Sequence, residues 1–134
     1  MSDPLLAQVA KRLARPVGEG ERKRARLHLL DWLACIAGAR RSPMMDVARN
    51  GGLPPAERAA LLGNILEMDD IHRRAILHPG PVIWAAAMGG PARSMEALLD
   101  AAVRGYEAMI SVGGRLDGHH YSLWHPTATM GGMG

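Results

Sequence analysis

The sequence has a single cysteine, Cys35, no phenylalanine, and only 4% aromatic residues among its 134. One cysteine cannot close an internal disulfide, nor can it alone hold an iron–sulfur cluster or a zinc finger, so Cys35 reads as a small core residue. With so few rings, a core must be built from Leu, Ala, Val, Ile and the nine Met, a composition that favours packed helices over a sheet sandwich. Long apolar runs are also missing. None approaches the roughly 20 residues that cross a bilayer, and "MSDPLLAQVAKRLARP" is an amphipathic start without the apolar block and cleavage site of a secretion signal. A cytoplasmic, reduced location with no membrane partner is expected.

There is no internal repeat, no low-complexity tract and no alternating strand pattern of useful length. The chain has the size of one domain, and residues 1–134 are expected to form a single all-α, multi-helix bundle. The net charge is +3, with only two lysines among sixteen basic residues. "ERKRAR", Glu21 to Arg26, invites a nucleic-acid reading, but it runs straight into "LHLLDWLACIAGA". Those charges are expected to be the solvated first turns of a helix whose later turns are buried. Without an aromatic stacking platform or a DNA-binding motif, no nucleic-acid partner is expected. A basic surface equally concentrates small anionic ligands.

Helical periodicity is the strongest pattern. After Ser94, a natural N-cap, apolar residues fall at Met95, Leu98, Leu99, Ala102, Val103, Tyr106, Met109 and Ile110, which is one helix face over about five turns. A second long helix is expected from Glu21 to about Ala37, with Gly38 as its C-cap. "PPAERAALLGNILEM" and "PGPVIWAAAMGG" have prolines at the start and glycines further on, the asymmetry of short helices. Short loops around Pro16 to Gly20, Arg40 to Pro43, Asn50 to Pro54 and Gly89 to Arg93 join these segments.

Ionisable groups crowd into "EMDDIHRRAILHPG", Glu67 to Gly80, between two helices. Glu67, Asp69, Asp70, His72, Arg73, Arg74 and His78 all fall within a dozen positions, in the kind of connection that often carries binding and catalysis. The plainer alternative is an acidic helix end followed by a solvated basic turn. Two His-Pro pairs, His78-Pro79 and His125-Pro126, add a physical reason for the functional reading. Proline favours the first helical position, so each imidazole is expected at a helix N-terminus, where unpaired amides attract anions and a neutral ring can act as a base. Aspartates and histidines at short spacing also suit zinc or non-haem iron, but no HExxH or CxxC pattern is present and no metal is expected. "GHHYS", with His119 and His120, reads as an exposed loop.

The order "LLDWLACIAGA", "LGNILEMDDIHRRAILHPG", "LLDAAVRGYEAMISVG" and "WHPTATMGGMG" resembles the N-terminal part of the MmgE/PrpD family, which includes 2-methylcitrate dehydratase, cis-aconitate decarboxylase and iminodisuccinate epimerase. The resemblance runs from about Leu5 to Gly134. It implies a helical domain, here without the family's α/β lid domain, in a usually homodimeric enzyme that needs no cofactor and handles small di- and tricarboxylates, as in propionate metabolism. By that resemblance, His78 and His125 are the catalytic histidines and Asp69 and Asp70 the acidic motif, with Glu67, His72, Arg73, Arg74 and Thr127 as candidate substrate-binding residues. Asn64 stands where a family histidine is frequent, and Ile71 where a threonine often follows the paired aspartates. The expected function is a lyase or isomerase segment, 2-methylcitrate dehydratase-like, that uses histidine acid/base chemistry on a small polycarboxylate. It is expected to need a partner chain carrying the family's lysine and lid. The alternative is a non-catalytic helical binding or oligomerisation module of the same descent, and a homo-oligomer is expected in either case.

Overall fold

The computed structural model describes residues 4–116 and 118–127. Seven α-helices follow one another among them: α1 (Leu5–Leu13), α2 (Glu19–Ala39), α3 (Met44–Asn50), α4 (Pro55–Asn64), α5 (Pro79–Gly89), α6 (Met95–Gly113) and α7 (Gly118–Leu123). No strand occurs among the described residues; one isolated antiparallel bridge joins His72 to Leu77. The all-α expectation is met.

Start signals act where the residue types placed them. Pro55 and Pro79 open α4 and α5 at positions whose amides would have no helical partner, and the Ser94 hydroxyl accepts a hydrogen bond from the Ala97 amide to cap α6. Gly38 differs from expectation. The helix runs through it to Ala39, and a Cβ at position 38 would come within 3.1 Å of Leu66 Cδ1, so this glycine admits a close neighbour and does not end the helix. "GHHYS" is likewise helical, as part of α7.

Helix α2 packs against α4, α5 and α6, and α3 packs against α4. Trp32, Trp84, Leu77, Leu99 and Met109 are fully buried, and Ala25, Leu29 and Ala102 close the layers between them. Burying side chains of this size removes apolar surface worth about 1.5–3 kcal/mol each before entropy is counted. Cys35 is buried as expected, and that burial pushes its thiol up from the ordinary range. The basic run is less solvated than its pattern suggests: Arg22 reaches across to Asp100 on α6 at 2.7 Å, while Lys23 and Arg24 stay exposed. Helix α1 is held by polar links, with Arg104 donating to the Leu13 carbonyl and Arg15 bridging Glu21 and Glu107. The segment from Ile65 to His78 joins α4 to α5 and gives Ala75 and Leu77 to this core.

Candidate functional site

Two residues of that segment, Glu67 and Ile76, adopt left-handed backbone, with φ of 53° and 48°. For an isoleucine this conformation is strained by roughly 1–2 kcal/mol, and it persists because the turn around it is otherwise fixed. His72 does part of the fixing. Its amide donates to the Leu77 carbonyl at 2.9 Å, and its Nδ1 accepts from the Ala75 amide at 3.2 Å. Ala75 and Leu77 are thereby drawn into the core and His78 is set at the N-cap of α5.

Among the described residues, Asp69 is the one buried charged residue, with only 1% of its side chain exposed. Its Oδ2 lies 3.0 Å from His78 Nδ1, and its Oδ1 accepts from the Asn64 amide at 3.1 Å. Burial pushes the Asp69 carboxyl above its ordinary range, with His78 and Asn64 pulling the other way. Ionised, this carboxylate keeps the proton on His78 Nδ1 and leaves Nε2 as the reactive nitrogen, with Glu67 Oε2 3.8 Å from it. The His125 ring sits beside the His78 ring with centroids 6.1 Å apart, and Tyr121 packs edge-on against His125 at 5.8 Å. Thr127 ties the two His-Pro segments together: its Oγ1 accepts from the His78 amide at 2.8 Å, and its own amide donates to His125 Nδ1 at 3.2 Å.

Asp70 faces another way. Its Oδ1 accepts from the Gly80 amide at 2.8 Å, while its Oδ2 lies 2.7 Å from the Tyr106 hydroxyl and 2.9 Å from His28 Nδ1. Trp84 Nε1 donates to the same tyrosine oxygen at 3.1 Å. Burial alone would raise the Asp70 carboxyl, but His28, Tyr106 and the Gly80 amide together hold it below the ordinary range. The open anion site expected at the start of α5 is thus occupied in part by the protein's own carboxylate. Beyond His125, only 126 and 127 of the expected helix are described; residues 128–134 lie outside the described residues.

The structure therefore brings together Asp69, His78, His125, Thr127 and Glu67. Arg73 and Arg74 stand exposed on the turn without a hydrogen bond or ion pair among the described residues, and His72 is committed to the turn itself. In the sequence, Tyr106 reads only as part of an apolar helix face and nothing singles out His28. Each sits beside the buried stripe of a long helix, and only the partner supplied by the distant Asp70 gives either a polar task. Among the described residues, no three His, Cys, Asp or Glu side chains are placed to hold a metal ion. A groove of about 610 Å³ between α5 and α6 is lined by Ile83, Ala87, Ala101 and Gly105 and by none of the clustered histidines or aspartates.

Compared with known proteins, the chain matches the family model of the MmgE/PrpD N-terminal domain over residues 55–134, more than half its length. The match takes in α4 to α7 and every residue of the cluster. Helices α1 to α3, with "LLDWLACIAGA", lie before it, although the resemblance read from the sequence began near Leu5. No curated protein and no solved structure matches the chain.

Proposed function

Because the chain belongs to the MmgE/PrpD N-terminal domain family, we propose that residues 1–134 form one helical domain of a cytoplasmic lyase or isomerase acting on a small di- or tricarboxylate. The buried Asp69–His78 pair is the observation that carries this reading. A buried carboxylate behind an imidazole fixes its tautomer and orientation and stabilises the imidazolium that forms when the ring takes a proton. His78 Nε2 then removes the proton from a carbon beside a substrate carboxylate. His125, on the neighbouring segment, returns a proton to the departing hydroxyl, so that the C–H and C–O bonds break, a C=C bond forms and water leaves. Run without the second bond cleavage, the same pair exchanges a proton and epimerises the carbon. Arg73 and Arg74 are free to meet carboxylates, and Glu67 and His72 border them.

The family's lysine and lid are not among these residues, and the reaction is proposed to require them from a partner chain or segment. The test is turnover of 2-methylcitrate and of cis-aconitate by the chain together with that remaining part. His78→Gln and His125→Ala are each expected to lower kcat by about 10²–10⁴ with the helical circular-dichroism signal unchanged. Turnover insensitive to both substitutions would overturn the reading.

A second reading, a non-catalytic binding or oligomerisation module, is favoured by one feature: α2 turns Leu27 and Leu30 outward, each 62% exposed. Absence of turnover in every pairing, with concentration-dependent self-association lost in a Leu27→Lys/Leu30→Lys variant, would establish it in place of the first.

A further inference from the structure

A second histidine–aspartate pair opens onto space that the proposed reaction does not use. Between α1, α2 and α6 lies a cavity of about 400 Å³ whose walls include Arg12, Arg24, His28, Tyr106 and Ser111, over a floor that includes Ala25, Val103 and Ile110. Two glutamates, Glu21 and Glu107, also border it, and Arg15 takes both of them. The Arg15 guanidinium, with the Gly18 amide and Arg24, holds the Glu21 carboxyl down at about 2, and Arg15, a single positive charge, bonds both carboxylates of this wall. Arg12 and Arg24 then remain, with no hydrogen bond or ion pair among the described residues, beside a histidine whose Nδ1 is taken by Asp70 and whose Nε2 is left for a ligand.

We propose that this cavity binds a small organic acid, with its carboxylate between Arg12 and Arg24, a further oxygen at His28 Nε2 or Ser111 Oγ, and its carbon body on Ala25, Val103 and Ile110. Guanidinium groups suit planar carboxylates, and the apolar floor suits a short carbon chain better than it suits a bare inorganic anion. The Asp70 hydrogen bond raises the His28 ring above its ordinary range against the opposing effect of burial, which favours the donor form toward an anion. Asp70 also holds the Gly80 amide at the start of α5, so occupancy is felt one residue from Asp69. The site is separate from the Asp69–His78 pair and does not depend on that pair being catalytic.

The test is a titration of the isotope-labelled chain with succinate, followed by backbone and imidazole chemical shifts, with uncharged succinamide as control. Saturable shifts are expected at Arg24, Val103, His28 and Ser111, absent with succinamide. Affinity should fall about tenfold or more in Arg24→Glu and, independently, in Arg12→Glu, both exposed positions where folding is not at stake. Affinity unchanged in both variants, equal shifts from succinamide, or shifts confined to Asp69, His78 and His125 would each overturn the proposal; the last would instead mark the site proposed above.

Discussion

Asp69 and Asp70 are adjacent in the chain and hold different histidines: Asp69 Oδ2 lies 3.0 Å from His78 Nδ1, and Asp70 Oδ2 lies 2.9 Å from His28 Nδ1. The connection carries the two side chains to different helices, so two chain neighbours serve two sites. Asp70 holds donors from α2, α5 and α6, whereas Asp69 holds Asn64, His78 and its own backbone amide. Asp70→Asn, which leaves an amide among three donors, is expected to lower unfolding free energy by about 2–4 kcal/mol, measured by urea denaturation. Asp69→Asn should cost less stability and act chiefly on turnover. A larger stability loss at 69 than at 70 would contradict this division.

The two carboxyls also shift in opposite directions, with consequences for stability against pH. Asp70 is held below its ordinary value, so its contribution is present above that value and is lost as pH falls through the lower folded one. Asp69 is raised, so it removes stability as pH rises from the ordinary carboxyl value through its elevated one. His28 is raised by Asp70, so its contribution is complete below the ordinary histidine value and is lost as pH climbs through the higher folded value. The His28 side chain is nearly half exposed, and the effect is accordingly small. Denaturation midpoints of the wild type should therefore decline above the ordinary histidine range, and His28→Gln should flatten that decline. Identical slopes for the two proteins would sink the assignment.

Gly80 shows how tightly Asp70 is seated. A Cβ at position 80 would lie 2.5 Å from Asp70 Oδ1 and 3.2 Å from the Tyr106 hydroxyl. Alanine must displace a carboxylate that three donors hold, so Gly80→Ala is expected to destabilise by about 1–3 kcal/mol although alanine is the better helix former. Combining it with Asp70→Asn should give less than the sum of the two losses, because both act on one network. Full additivity in a double-mutant cycle would mean that Gly80 acts elsewhere.

The helices were legible because their signals are local. Ser94 caps α6, Pro55 and Pro79 open their helices, and apolar spacing marked Leu99, Ala102 and Met109, all of which are buried. The crowding of Asp69, Asp70 and His78 into one connection was legible too. What each aspartate holds was not, since the partners come from Asn64, His28 and Tyr106 at separations that periodicity does not encode. Gly38 misled because glycine at a helix end and glycine under a neighbouring side chain look alike in sequence. Arg22 misled because a charge on a solvated turn and a charge reaching a carboxylate on another helix have the same local pattern.

Ile76 offers a test of the strained turn that presents His78. Its φ of 48° belongs to the left-handed region, which disfavours β-branched residues most and which asparagine tolerates well. The residue is 38% exposed, so replacing it forfeits only part of an isoleucine's burial. Relief of backbone strain, roughly 1–2 kcal/mol, should outweigh that loss. Ile76→Asn is thus expected to raise unfolding free energy by about 0.5–1 kcal/mol, and Ile76→Val, which keeps the branching and the strain, to lower it slightly. Urea denaturation of the two variants checks the order. If Ile76→Asn were the less stable of the two, the turn would be held by the isoleucine's packing, and the His72–Leu77 bridge would not be what fixes it.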